Sequence, residues 1–216
     1  MLCAVCGLAS KKTRVAREQD DDKRRLFREQ IEQESVEKLV FLDECGFGSN
    51  LRRLYGWAIG GARCVEVAPH TRTTNRSCLG AFSLPSQDNP TGLWALWQKL
   101  GAWKGLLFEA FVVDELLPRL PPESVLVLDN ARIHQSHSLK KAVEDAGHRL
   151  LFLPPYSPDF NPIELVWSWL KNAVRYLAPE GDEQRTACIR QAQQALPPQH
   201  AHAWFRKCGI APLLSD

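Results

Sequence analysis

The sequence predicts an α/β fold: one mixed sheet, built from a three-strand antiparallel meander followed by a β-α-β-α run and flanked by helices. Three observations predict it. KLVFLD at 38–43 and SVLVLD at 124–129 are short apolar runs that each end in an acid. Unbroken runs of this length suit strands buried on both faces. A third run, RLLFL at 149–153, follows an amphipathic helix predicted over 136–146 and closed by Gly147. Strand–helix–strand units pair their strands in parallel. Between the first and second runs, β-prone segments separated by short turns predict the meander.

The elements follow in chain order. Residues 11–38 mix basic and acidic side chains with sparse apolar positions at Val15, Leu26, Phe27 and Ile31. This predicts an exposed helix or linker, with the helix over 22–37. Lys11, Lys12, Arg14 and Arg17 suit either phosphate contact or a solvated helix face. After the strand at 38–43, 44–49 is predicted as a turn, 55–59 as a second strand closed by Gly60 and Gly61, and 63–68 as a third. Residues 76–84 are able to extend the sheet. Residues 85–106 contain Trp94, Trp97 and Trp103 without a clear period, which predicts a packed loop or short helix. A helix over 109–120 is stopped by Pro121 and Pro122. Pro154, Pro155 and Pro158 stiffen the loop before a helix over 161–176, which has Pro162 in its first turn. Two short helices are predicted over 183–207, around Pro197 and Pro198. The expected organisation is a charged linker or helix remnant (1–37), a catalytic domain (38–178) and a C-terminal helical extension (179–216).

Composition narrows the class. With 216 residues, 44% hydrophobic and 24% charged, the chain can bury a core of its own. Its net charge of +2, from 27 basic and 25 acidic residues, gives no global signal for a polyanionic partner. Seven cysteines at scattered positions do not form a secreted disulfide framework. Cys3 and Cys6 make a C-x-x-C without the second pair or histidine of a zinc site, so free thiols are expected. No apolar run reaches the ~18 residues of a membrane helix. An intracellular, cytoplasmic location is expected.

The two acids ending apolar runs carry the chemistry. If both strands lie centrally in one sheet, their C-terminal ends bring Asp43 and Asp129 together. Two carboxylates so placed repel unless a cation intervenes or a proton is retained. Hard divalent cations take oxygen ligands. Two such ions about 3.5–4 Å apart can clamp the attacking and leaving oxygens of a phosphodiester. An aspartate after a strand is also an ordinary turn former. Glu164 has its own plain alternative: with Asn161 as N-cap and Pro162 next, it falls where a capping box places its glutamate. Spacing alone leaves these alternatives open.

The strings around the acids are more specific. LPPYSPDFNPIE at 153–164, continued by Trp167 and Lys171, resembles the third-carboxylate motif of bacterial insertion-sequence transposases in the mariner superfamily. VLDNARIH at 127–134 resembles the second motif, and LDECGF at 42–47, followed by Arg53 and YGWA at 55–58, the first. Thirty-four residues lie between Asp129 and Glu164, a spacing similar to that superfamily's. The resemblance runs from about residue 7 to the end, including WFRKCG at 204–209, and is weakest over 85–106.

What the resemblance implies is a ribonuclease-H-like fold and a DDE transposase. Asp43, Asp129 and Glu164 would be the catalytic carboxylates and metal ligands, holding Mg2+ or Mn2+, two ions in all. Water would attack a phosphodiester at the transposon end, and the freed 3′-hydroxyl would attack target DNA, commonly at a TA step, without a covalent protein–DNA intermediate. Partners would be double-stranded DNA, both inverted-repeat ends and target, and a second copy in a synaptic homodimer. Asn130 and His134 are candidates to orient Asp129 or contact DNA. Tyr156 is a candidate for base stacking or packing, and Lys171 for phosphate contact. Glu44 is expected to point away from Asp43 on an extended chain. The helix-turn-helix part of such enzymes is not visible, so it is expected from an upstream frame. A regulatory fragment and a ribonuclease-H-type nuclease are the alternatives.

Overall fold

The computed structural model describes residues 17–49, 51–52, 56–65 and 75–210. Among these residues, five strands form one mixed sheet: β1 (Leu39–Phe47), β2 (Arg76–Phe82), β3 (Leu93–Leu100), β4 (Val125–Leu128) and β5 (Arg149–Phe152), in the order β3-β2-β1-β4-β5. β1, β2 and β3 pair antiparallel, and β4 and β5 add in parallel beside β1. The predicted meander and β-α-β-α run are both present.

The meander uses different segments from those expected. Residues 56–58 are irregular, Ile59–Gly61 is a 3-10 turn, and 63–65 are irregular. Tyr55 and 66–68 lie outside the described residues. Trp57, Ile59 and Val65 are 102%, 98% and 83% exposed. They have strand-forming side chains but no sheet to pack on, and β propensity acts only through such packing. The second and third strands are instead β2 and β3. β3 falls in the stretch expected as loop or helix, because Gln98 and Lys99 of this half-buried edge strand blur its alternation. β1 also runs past Asp43 to Phe47, where a turn was expected. Cys45 and Phe47 are buried at period 2, which keeps the strand paired with β2 through Phe47↔Arg76.

Among the described residues, six α-helices surround the sheet: α1 (Asp21–Ile31), α2 (Gly105–Ala110), α3 (His137–Asp145), α4 (Ile163–Leu177), α5 (Gly181–Gln194) and α6 (Ala201–Lys207). α1 ends six residues earlier than expected. The predicted 109–120 helix begins earlier, as α2, then continues through a π-helical turn (Phe111–Leu116) and a 3-10 turn (Leu117–Arg119). Ser136 caps α3 by accepting from the Leu139 N–H, and Gly147 takes φ 78° just past its end, a conformation that favours glycine.

Alternation along β1 sorts the core into two layers. Leu39, Phe41, Cys45 and Phe47 pack with Val125 and Val127 beneath α1, α4, α5 and α6, through Phe27, Ile163, Val166, Trp167, Ile189 and Phe205. Val40 and Leu42 pack with Leu126 and Leu128 on the other face, beneath α2 and α3, through Phe108, Phe111, Leu139 and Val143. Burying Phe27 and Ile31 of α1 contributes about 1.5–3 kcal/mol each, so the charged N-terminal helix is docked on the core. No helix among the described residues is long and apolar enough to cross a membrane.

Candidate active site

The parallel register places the two aspartates. Leu39, Val40 and Phe41 pair with Val125, Leu126 and Val127. Two residues further along both chains stand Asp43 and Asp129. By alternation, each shares the parity of the residues on the α4 face of the sheet, Phe41 and Val127. Asp129 is the first residue past β4, so its carboxyl stands at the open sheet end.

α4 supplies the third acid. Glu164, Trp167 and Lys171 are spaced three and four residues apart, which puts them on one helix face. Trp167 is buried, and its indole Nε1 donates to Asp43 Oδ2 at 3.1 Å. Room for the indole comes from Gly80, which pairs with Asp43 across the β1–β2 ladder. A Cβ at Gly80 would lie 2.8 Å from Trp167 Cη2. A glycine inside a strand often marks such a close approach, the signal by which sequence could have found it.

The capping-box alternative for Glu164 is not realised. α4 begins at Ile163 behind Pro162, with no side-chain cap hydrogen bond, and Asn161 Oδ1 is buried without a hydrogen-bond partner. Glu164 reaches solvent at the helix start. The preceding loop is held from the side by α1. Arg24 donates to both Asp159 oxygens, at 2.9 and 2.6 Å, and to Ser157 Oγ at 2.7 Å. Its guanidinium also lies 4.1 Å over the Phe160 ring.

The acids disturb one another. Burial raises the Asp43 pKa to about 7; the Glu164 charge adds to the rise and Asp129 adds a little more, while the Glu44 backbone N–H and the Trp167 indole pull down. Glu164 is also raised, first by desolvation of its carboxyl, with Asp129 adding and Lys171 opposing. Asp129 goes the other way. A hydrogen bond from His134 holds it below its ordinary value, against desolvation, and the Ala131 N–H helps. His134 Nδ1 lies 2.6 Å from Asp129 Oδ1, and the Ala131 N–H donates to the same oxygen at 3.0 Å. His134 Nε2 lies 3.2 Å from Glu44 Oε1. Burial alone would lower the His134 pKa, but the two carboxylates outweigh it and carry it to about 9.

The remaining predicted residues are spread around this centre. Asn130 is exposed, and its Oδ1 accepts from Gln135 Nε2 at 2.5 Å. Tyr156 is 60% exposed at φ 54°, so its ring is not packed in the core. Lys171, two turns along α4 from Glu164, lowers the pKa of both Glu164 and Cys45. Glu44 points to the opposite sheet face from Asp43, as expected. Trp167's bond to Asp43 and Glu44's contact with His134 were not foreseen, because pairings across 124 and 90 residues leave no local pattern.

Carboxylate oxygens are the donors that hard divalent cations take. The raised pKa values of Asp43 and Glu164 show a negative charge that a cation would offset. The donor set therefore fits such an ion by its chemistry. No three His, Cys, Asp or Glu side chains among the described residues converge as a ready-made metal cage, and Asp129 Oδ1 is turned to His134 and Ala131. Asp129 and Glu164 reach solvent, as suits a polymeric substrate, while Asp43 lies beneath α4. A cavity of about 740 Å³ lies elsewhere, between β3 and α5, lined by Trp97, Lys99, Trp103 and Arg190.

Known proteins of similar shape carry the same architecture. The chain superposes on the Mos1 transposase catalytic domain solved with raltegravir and Mg, with a TM-score of 0.61 at 13% identity over 91% of both chains. It superposes on the mariner Mos1 paired-end complex with Mg with a TM-score of 0.65 at 12% identity, over 94% of this chain and 63% of that one. At such identities the likeness is one of fold, and that fold is ribonuclease-H-like. In sequence, 56 residues are 45% identical to the uncharacterized protein y4pE/y4sA of Sinorhizobium fredii, covering 24% of this chain and 39% of that protein. The family model described as DDE superfamily endonuclease matches residues 38–186, which span all five strands and the three acids, and the chain belongs to that superfamily.

Proposed function

We propose that this endonuclease is the catalytic part of a transposase of the mariner superfamily, insertion-sequence branch, which cuts DNA at transposon ends and joins the freed ends to target DNA. The observation that supports the proposal is the placement of Asp43 on β1, Asp129 just past β4 and Glu164 at the start of α4, within electrostatic reach of one another, so that the Glu164 and Asp129 charges both add to the rise of Asp43's pKa.

In this reading, Asp43 and Asp129 share divalent cations, Mg2+ or Mn2+, and Glu164 completes the set. When bound, the ions lower the pKa of the attacking water or hydroxyl and stabilise the leaving oxygen. The chain's own residues then have distinct tasks. Trp167 fixes one Asp43 oxygen and walls the site from the helix side. His134 fixes one Asp129 oxygen. Lys171, on the same α4 face as Glu164, supplies a positive charge for a DNA phosphate. Asn130, next to Asp129, and Tyr156 are exposed and would contact the DNA. Double-stranded DNA is the substrate, and two copies of the chain would synapse two ends; the Mos1 structures include paired-end complexes.

The test is cleavage of DNA carrying the element's inverted repeats, with Mg2+ or Mn2+. Metal-dependent nicks at the repeat ends and strand-transfer products are expected from the wild type, and neither from Asp129→Asn. Equal cutting by that variant, or cutting in EDTA, overturns the assignment.

A further inference from the structure

Two adjacent acids on β1 face opposite ways. Asp43 turns to α4, and Glu44 turns to the face covered by α2 and α3. Glu44 there meets His134, whose side chain is fully buried and whose ring lies tilted 36° against the Phe108 ring, with centroids 4.2 Å apart. Both ring nitrogens are engaged, Nε2 with Glu44 at 3.2 Å and Nδ1 with Asp129 at 2.6 Å. The imidazole thus spans the sheet end, from an acid on the back face to an acid of the site.

We propose that Glu44 is a positioning residue for Asp129, acting through His134 to hold one carboxylate oxygen away from the metal so that the other alone is presented to it. This rests on reading Asp129 as a metal ligand. The ring is enclosed, so without Glu44 its Nε2 would be a buried polar atom with no partner, a costly state. The ring could relieve this only by rotating, and rotation breaks the Nδ1 bond to Asp129. With His134 in place, Asp129 Oδ1 is occupied twice, by the ring and by the Ala131 N–H, which leaves Oδ2 as the carboxylate oxygen for a metal. Groups that orient a metal ligand in this way typically change metal affinity 10–100-fold when removed. Phe108 packs on the ring from α2 and Glu44 approaches from β1, so the device draws on three separate parts of the chain.

Calorimetric titration of Mn2+ into the full chain provides the first test. Glu44→Leu, which removes the acceptor at similar volume, is expected to weaken Mn2+ binding about 10-fold or more while the thermal melt stays cooperative. In a His134→Asn background, adding Glu44→Leu is expected to change affinity less than about two-fold, because the route to Asp129 is already cut. Wild-type affinity in Glu44→Leu overturns the proposal. So does an equal loss in both backgrounds, since Glu44 would then act directly. If the wild type binds no Mn2+, the metal assignment of the three acids fails, and the relay is decided without metal. The His134 ring N–H facing Asp129 is then followed by proton NMR, with Asp129→Asn used to identify its signal. A shifted, faster-exchanging signal in Glu44→Leu supports the relay, and an unmoved signal overturns it.

Discussion

Asp43, inside β1, and Asp129, the first residue past β4, stand at matching register on two neighbouring parallel strands, yet the protein treats them in opposite ways. Asp43 is enclosed under α4 with one indole as its side-chain donor, and its pKa rises to about 7. Asp129 stands past the strand end, holds His134 and the Ala131 N–H, and stays below its ordinary value. The difference teaches that strand register supplies position alone, while the neighbours supply the charge state. In the metal-free protein, Asp129 is an anion with fixed partners. Asp43, raised to about 7, keeps its proton below neutral pH, where a cation would otherwise stand.

The largest expected effect abolishes the contrast. If both acids are ligands, Asp43→Asn and Asp129→Asn each reduce DNA cleavage by at least about 10²–10³-fold, the scale at which single stabilising groups are lost from active sites. Single-turnover cleavage with saturating Mn2+ measures it. Activity retained by one variant alone would show that only the other acid serves the chemistry.

The next effect separates them by stability. Asp43 is raised in the folded state, so folding favours its protonated form. Its unfavourable contribution is absent below the unfolded value near 3.8, grows between there and 7, and is complete above 7. Asp43→Asn should therefore stabilise the metal-free chain at pH 8, by up to about 4 kcal/mol, and leave it nearly unchanged at pH 4. Asp129 is lowered, so it contributes stability at neutral pH that is lost as the solution acidifies through its folded pKa. Asp129→Asn should therefore destabilise at pH 8. Urea unfolding in EDTA at the two pH values reads both, and a destabilised Asp43→Asn at pH 8 would break the comparison.

Much of this was visible in the chain, for physical reasons. β1, β4 and β5 are apolar on both faces, and such runs are unambiguous in one dimension. α3 and α4 carry strong periodicity and clear stops. The motif strings around the three acids survive as local patterns because each acid sits beside its own strand or helix start. Elsewhere, local pattern and environment diverge. Trp57, Ile59 and Val65 look like strand residues but lie in solvent. β3, an edge strand carrying Gln98 and Lys99, looks like loop. The contacts that tune the acids are long-range. Trp167 reaches Asp43 across 124 residues, and Glu44 reaches His134 across 90. No window along the sequence contains both partners.

The α1 brace sharpens the account of why Asp43 is raised. Arg24 ties the 157–160 loop, and with it the start of α4, through three hydrogen bonds and a ring contact. Arg24 is largely covered, but Asp159 is half-exposed, so screening reduces the pair to about 1 kcal/mol. Arg24→Ala should lower stability by that order. It should also loosen the placement of Glu164, moving the Asp43 midpoint down toward ordinary values. The Asp43 carboxyl signal followed by carbon NMR across pH 4–9 checks this. An unchanged midpoint would assign the shift to burial alone.

The smallest effect isolates one hydrogen bond. Trp167 donates to Asp43 Oδ2 and favours the charged form. Trp167→Phe keeps a ring against Gly80 but removes the donor, so the Asp43 midpoint should rise. The lost bond is worth about 0.5–1.5 kcal/mol, equivalent to at most about one pH unit. At pH 6.5 a larger fraction of Asp43 is then protonated and Mn2+ binding weakens several-fold. At pH 9 Asp43 is charged in both proteins, and the difference in binding should nearly vanish. Packing loss from the smaller ring would instead weaken binding equally at both values, since a cavity does not titrate. The pH dependence of the Trp167→Phe defect therefore distinguishes an indole that tunes the acid from one that only fills the space Gly80 leaves.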